Sequence, residues 1–383
     1  MLVLILALGG CMPESENESK YDYKYGDTVK SDFIGCWLTK YEIMPEKGAS
    51  KKEYAEKADK MSKIMSSFGI TDIFVQVRPD CDSIYPSSYF EPCKQFCLDG
   101  KLCFDFLQVW VKAAHKYGLK IYAWINPYRI SAKGELENNN RMLRFLSEGD
   151  VYKTEKGGYY LNPASESVNE LILSGIREIL DNYEVDGIHI DDYFYPSTEK
   201  GIDEKQFKAY TDKGGEMSLE QYRRSCVSSL ISSIFSLVKS RNTDSIFSVS
   251  PCGDIKKNMD TLYADVKLWC GEEGYADMII PQIYYGFENS SQPFIRCLED
   301  WLKINTCKTV RLAVGLAPYK AGKEDKYAGK GINEWLENDD IIKKEALISS
   351  DKTGGFVLFS YSYIFVDNNL INNEIKNLKS VIE

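Results

Sequence analysis

Eight short segments rich in β-branched and aromatic residues recur along this chain of 383 residues, alternating with longer stretches at helical spacing, and few folds accommodate that pattern. The segments span 33–38, 72–77, 120–125, 187–190, 246–249, 278–283, 311–315 and 355–359. Near-continuous apolar runs of this length suit strands covered on both faces. Helix-like stretches lie between them at 51–68, 104–117, 166–183, 218–239, 293–304 and 333–350, and a last one at 368–382 would close the fold. Gly69 and Gly118 stand where two helices should end, because glycine takes the left-handed cap conformation freely. Eight strands alternating with helices is the count of a (β/α)8 TIM barrel. An open doubly wound sheet is the other arrangement, but no G-x-G-x-x-G follows any strand, which weighs against a dinucleotide-binding version. The expectation is an α/β chain with one barrel domain over 33–383. Ser131 to Tyr160 is long and polar, and reads as an insertion after the third strand that forms part of a cleft wall.

Residues 1–11 read as a targeting segment. The apolar run 2–8 is too short to cross a bilayer as a helix. It ends in Leu8-Gly9-Gly10-Cys11, which resembles the lipobox of bacterial lipoproteins, where the cysteine becomes the lipidated first residue. Residues 12–32 are rich in Glu, Ser, Asn, Lys and Tyr, as a flexible tether would be. The expected location is therefore the cell envelope, with a lipid anchor at Cys11 as the contact with the membrane.

The formal net charge of −10, with no long basic run, argues against nucleic-acid binding. Only two histidines occur, His115 and His189, too few for a multi-histidine zinc site. Ten cysteines remain beside Cys11, and Cys81, Cys93, Cys97 and Cys103 crowd one region. No C-x-x-C pair exists, so the zinc-ribbon pattern is missing, and disulfide connectivity stays open. Neither a metal nor a cofactor is expected. Aromatic residues reach 13%, and as a set they suit a cleft that stacks sugar rings.

Chemistry in a barrel of this kind gathers at the carboxyl ends of its strands. The segment Asp186 to Pro196, DGIHIDDYFYP, runs from a short buried strand into two carboxylates. Alternation sets His189 and Asp191 on one face and Ile188 and Ile190 on the other. Gln76 and Arg78 share a face of the second strand, and Trp124 and Asn126 share one on the third. Further strand ends carry Glu42, Asp80, Tyr128, Asp254, Gln282, Tyr284 and Glu288. So many polar groups need a network or a polar ligand, and a polyhydroxyl ligand matches that need.

FVQVRPDCDSIYPSSYF, GLKIYAWINPYRI, YYLNPASESV, DGIHIDDYFYP and PQIYYG, in this order, resemble the glycosyl hydrolase-like 10 family. The resemblance covers Phe33 to Tyr361. It implies a (β/α)8 barrel, export, often as a lipoprotein, and in some members action on peptidoglycan glycan strands. DGIHIDD also resembles the fourth-strand DGxRxD motif of α-amylase-type barrels. That resemblance puts Asp191 at the nucleophile position and His189 where an arginine would support it, so the support would vary with pH.

Glycoside hydrolysis needs an acid and a nucleophile or base, usually two carboxylic groups. Asp191 is the first choice for nucleophile or base, and Asp192 is held as a second candidate. The acid is open among Asp80, Asp254, Glu288 and Glu42. Arg78, Asn126 and Gln282 would bind hydroxyls or an acidic group, with Gln76 and His189 beside them. Trp124, Tyr128, Tyr193 and Tyr284 would form stacking walls. The expected activity is that of an exported glycoside hydrolase on a polysaccharide. The alternative is a catalytically weak glycan-binding barrel, and a second carboxylate near Asp191 would separate the two. No G-x-S-x-G is present, which argues against a serine esterase.

Overall fold

The computed structural model describes residues 25–131, 140–366 and 372–382. The targeting segment 1–11, the lipidation position Cys11 and residues 12–24 of the expected tether lie outside the described residues. Eight parallel strands form the sheet: β1 (Ile34–Leu38), β2 (Asp72–Arg78), β3 (Lys120–Ile125), β4 (Gly187–Ile190), β5 (Ile246–Val249), β6 (Met278–Ile279), β7 in two halves (Arg311–Leu312 and Val314–Leu316) and β8 (Phe356–Leu358). The first half of β7 pairs with β6 and the second half with β8, while β8 pairs with β1, so the ring closes.

Around it run α1 (Lys51–Phe68), α2 (Phe106–Lys116), α3 (Glu166–Asn182), α4 (Leu219–Arg241), α5 (Val266–Gly271), α6 (Phe294–Ile304), α7 (Ile341–Lys352) and α8 (Asn372–Lys379). Caps set most of the helix starts. Ser50 with Glu53 opens α1, Asp105 opens α2, Ser165 opens α3, and Ser218 with Gln221 opens α4, each side chain accepting from a backbone N–H of the first turn. Gly69 ends α1 at φ 104°, as its position in the sequence suggests.

Three elements differ from expectation for local reasons. β6 is cut short because Pro281 has no N–H to give, and pairing resumes only as single bridges at Gln282. The stretch 333–350 is a short turn, Glu334–Glu337, and then α7, because Asn338-Asp339-Asp340 favours a cap over a helix interior. The short α5, opened by Asp265, was not read from the sequence. The insertion after β3 folds a three-stranded antiparallel sheet (Arg129–Ser131, Val151–Lys153, Tyr159–Leu161), and its Ser131 borders the cleft described below.

Two apolar layers hold the barrel. Its interior is filled by Phe33, Trp37, Phe74, Tyr122, Trp124, Met278, Ile280, Ala313 and Val357, while a larger layer lies between sheet and helices. Gly187 opens β4 because a Cβ there would stand 2.1 Å from the Ile246 carbonyl oxygen and 2.8 Å from the Tyr122 ring. The end of the tether stretch is tied to the barrel: Val29 N–H donates to the Val381 carbonyl (2.8 Å), and the Lys30 and Ser31 N–H groups donate to Ser350 Oγ (2.8 and 3.1 Å). Among the described residues no helix is long and apolar enough to cross a membrane.

Candidate active site

The carboxyl-terminal mouth of the barrel opens into a cleft of about 650 Å³. Every barrel strand except β7 sends residues to it from its end or the loop beyond, as strand ends in this architecture should. Among the described residues four carboxylates line it: Glu42, Asp80, Asp191 and Asp192.

Asp191 continues the inward face of β4 and is 3% exposed. Its Oδ2 accepts the indole N–H of Trp124 (3.0 Å), and its Oδ1 accepts the N–H of Tyr193 (3.4 Å). Burial, helped by the neighbouring Asp192 charge, pushes the Asp191 carboxyl up to about 8, against the pull of Arg129 and the Trp124 hydrogen bond. Asp192 also lines the cleft and is half-buried. Burial raises it too, while Gln282, Lys257 and Arg129 favour its charged form. Two neighbouring buried carboxyls cannot easily both ionise, so the pair keeps a proton near neutrality, and the more buried Asp191 holds it.

His189 lies one layer below and is fully buried. The Trp37 indole donates to its Nε2 (3.0 Å), so the ring proton sits on Nδ1 and is donated to Ser248 Oγ (2.8 Å). Burial drives this imidazole down to about 3. The expected pH-dependent support of Asp191 by His189 is therefore not what the structure shows. His189 is a neutral spacer that fixes Trp37 and packs against the Trp124 ring, and it does not border the cleft.

Both oxygens of Asp80 are taken by cations, Lys40 Nζ at 2.7 Å and Arg129 Nε at 2.9 Å. Arg129 also donates to the Pro79 carbonyl and stacks 4.2 Å above the Tyr193 ring. Asp80 thus acts as the counter-ion that positions two cleft cations. Glu42 is equally engaged: Oε2 accepts from Thr39 N–H and Oγ, and Oε1 accepts from Ser360 Oγ and Ser362 N–H. Gln76 borders the cleft, accepts from Lys40 N–H (3.0 Å) and donates to Asn126 (3.1 Å). Gln282 donates to the Ser250 carbonyl and hydroxyl, and Tyr193 and Tyr284 form walls.

Several expected site residues stand elsewhere. A bulge between Gln76 and Arg78 sets Arg78 opposite the outward-facing Ile125, so the two do not share a face. Arg78 is buried outside the barrel, its guanidinium 3.6 Å over the Phe90 ring. Tyr128 is fully buried against α3, with its hydroxyl toward Asn169 (3.4 Å), and is no stacking wall. Asn126 is buried beneath the cleft. Glu288 is exposed outside it, and Asp254 caps a helical turn outside it. Trp37, Lys40, Arg129 and Phe359 do border the cleft but were not singled out as site residues. Lys40 and Arg129 do fall among the polar residues that follow strand ends in the sequence, but that position alone gives them no role. Among the described residues no cluster of His, Cys, Asp or Glu is placed to hold a metal ion.

Comparison with known proteins bears on the family and the fold. Residues 33–330 match the profile of the family described as Glycosyl hydrolase-like 10. The chain is 29% identical over 332 residues to Glycosyl hydrolase DigH of Escherichia coli K12, covering 78% of this chain and 74% of that protein. It is 29% identical over 303 residues to Glycosyl hydrolase YngK of Bacillus subtilis 168, covering 72% and 58%. Among solved structures, the glycoside hydrolase domain of PgaB (BpsB) from Bordetella bronchiseptica aligns with a TM-score of 0.61 at 9% identity, over 91% of this chain and 98% of that one. The catalytic domain of β-amylase from Paenibacillus polymyxa aligns with a TM-score of 0.57 at 12% identity, over 92% and 98%. At such identities the two structures bear on the fold alone.

Proposed function

The chain belongs to the glycosyl hydrolase-like 10 family, and from there we propose that it hydrolyses glycosidic bonds of a polysaccharide, peptidoglycan glycan strands being the first substrate to test, from a lipid-anchored position in the cell envelope. Relatives named glycosyl hydrolases support the reaction type. The substrate is inferred from the family resemblance, and the anchor from the Leu8–Cys11 motif. The observation that carries the reading is the Asp191–Asp192 pair, two adjacent carboxyls in one cleft of which one keeps its proton near neutrality. That second carboxyl is what favours hydrolysis over a purely glycan-binding barrel.

Asp191 takes the role of general acid rather than the nucleophile or base role expected from its motif. A carboxyl held neutral near pH 7 can protonate the leaving glycosidic oxygen. Asp192, the more exposed of the two, is the ionised partner facing the positive charge that develops at the anomeric carbon. Trp37, Trp124 and Tyr193 offer apolar faces to sugar rings, and Gln282 and Arg129 offer donors to hydroxyls.

The test compares wild type, Asp191→Asn and Asp192→Asn on peptidoglycan glycans with and without stem peptides, and on aryl glycosides whose leaving group needs no proton. Asp191→Asn should lose roughly 10²- to 10⁴-fold on the glycan and far less on the aryl glycoside. Asp192→Asn should lose activity on both. Wild-type activity should fall as the pH rises past about 8, where Asp191 gives up its proton. Full glycan turnover by Asp191→Asn would sink the reading.

A further inference from the structure

On the reading that this cleft cuts glycans, its described residues supply an acid and an anionic companion, but no free carboxylate to attack the anomeric carbon. Of the four lining carboxylates, Asp80 is clamped by Lys40 and Arg129, and Glu42 is saturated by four donors. The remaining two are consecutive residues at the end of β4. Displacement by a protein carboxylate needs the acid and the nucleophile on opposite faces of the sugar ring. Neighbours on one strand end approach from the same wall.

Two other features of the cleft bear on what attacks instead. Tyr284 lines it close to both aspartates, and its hydroxyl has no hydrogen-bond partner among the described residues. An unengaged phenol there is a donor waiting for an acceptor on the ligand. The floor beside it is apolar, made by Trp37, Trp124 and Phe359. Trp37 and Phe359 rings pack at 6.0 Å, and Phe359 and Tyr284 rings at 6.0 Å.

We propose that the substrate carries the nucleophile: the carbonyl oxygen of a 2-acetamido group on a β-linked sugar, oriented by the Tyr284 hydroxyl, with its N–H held by Asp192 and its methyl on the aromatic floor. In the first step the carbonyl oxygen bonds to C1 as the bond from C1 to the leaving oxygen breaks. That oxygen takes the Asp191 proton. The product is a five-membered oxazolinium ring whose positive charge faces the Asp192 carboxylate. Water then enters from the vacated side and bonds to C1, its proton returning to Asp191 as the ring reopens. One water is consumed, the acetamido group is restored and the anomeric configuration is retained. Tyr284 is a positioning residue in this scheme.

The experiment follows the first-formed anomer by proton NMR, with peptidoglycan glycan strands and β-linked N-acetylglucosamine oligomers as probes. The same oligomers after N-deacetylation, and an N-acetylglucosamine thiazoline, complete the set. The scheme expects retention, loss of turnover on the deacetylated oligomers and competitive inhibition by the thiazoline. Tyr284→Phe should lower kcat roughly 10- to 100-fold with little change in KM, and weaken thiazoline binding more than substrate binding. Inverted product would make water the direct attacker and overturn the proposal. So would equal cleavage of deacetylated oligomers, or a 2-fluoro glycosyl label trapped on Asp80. A wild-type protein that cleaves no glycan removes the hydrolase reading itself, an outcome distinct from those three.

Discussion

A carboxyl group kept protonated by burial weakens the fold that buries it. In the unfolded chain Asp191 ionises near 3.8, while in the native cleft it ionises near 8. Between those values the native state holds a proton that the unfolded state has released, so this group's contribution to stability is full below about pH 4 and falls as the pH rises toward 8. Asparagine has the same shape, can still accept the Trp124 N–H and does not titrate. Asp191→Asn should therefore be more stable than wild type at pH 8 by about 1–3 kcal/mol, with the difference shrinking toward pH 4, while turnover is lost. Urea midpoints at the two pH values measure it, and a variant less stable at pH 8 would contradict the assignment. Glu345 poses the same problem away from the cleft: it is fully buried on α7, burial raises it well above the usual carboxylate range, and both its oxygens lack partners among the described residues. Glu345→Gln should likewise flatten the pH dependence of stability without touching activity. The inward aim of Asp191 was legible because alternation from His189 holds to the end of β4. The neutrality of His189 was not, because it comes from complete burial inside the closed barrel, among partners as distant in the chain as Trp37, 152 positions away.

At the scale of elements, strand and helix positions were readable wherever composition and caps agreed, and β3, β4, β5 and α1 have the bounds the sequence suggests. The miss that mattered was the bulge in β2, which no glycine announces in FVQVRPD and which turns Arg78 from the cleft to the outer layer. There its guanidinium stacks on Phe90, and none of its nitrogens has a hydrogen-bond partner among the described residues. Gly175 of α3 makes the room, since a Cβ there would lie 2.4 Å from the Phe90 ring and 2.8 Å from Arg78 Nη1. A buried charge without an ion-pair partner contributes through its stem and its ring contact rather than through its charge. Arg78→Met, which keeps the stem, should be neutral or stabilising, whereas Arg78→Ala should cost about 2–4 kcal/mol through the cavity it leaves. Glycan turnover should survive Arg78→Met. If activity collapsed while the fold held, Arg78 would belong to the site after all. Tyr128 illustrates the same limit, because alternation says nothing about direction once β3 ends at Ile125.

For the molecule as a whole, the eightfold alternation was enough to name the barrel, but not to say how its two ends are joined above the sheet. β1 and β8 pair edge to edge, and Glu42, four residues past β1, fastens the loops that leave them. One oxygen holds Thr39 on its own loop, and the other receives Ser360 Oγ and Ser362 N–H, each at 2.6 Å. The partners lie 318 and 320 positions apart in the chain, so no local pattern could pair them. Truncating Glu42 would strand those donors near the rim of the cleft, which Tyr41 and Tyr363 of the same two loops line. Glu42→Ala should cost about 2–4 kcal/mol, because charge-assisted hydrogen bonds are lost and donors are left without acceptors. Glutamine is a partial remedy, since its carbonyl can serve one loop while its amide points donors at the other. Wild type, Gln and Ala should therefore rank in that order of denaturation midpoint. Because the clasp lies above the strand ends and Asp191 sits on β4 across the barrel, the loosened rim should raise KM for long glycans more than it lowers kcat. A Glu42→Ala protein with unchanged midpoint and unchanged KM would show that strand pairing alone closes the barrel and that the clasp plays no part in holding the cleft.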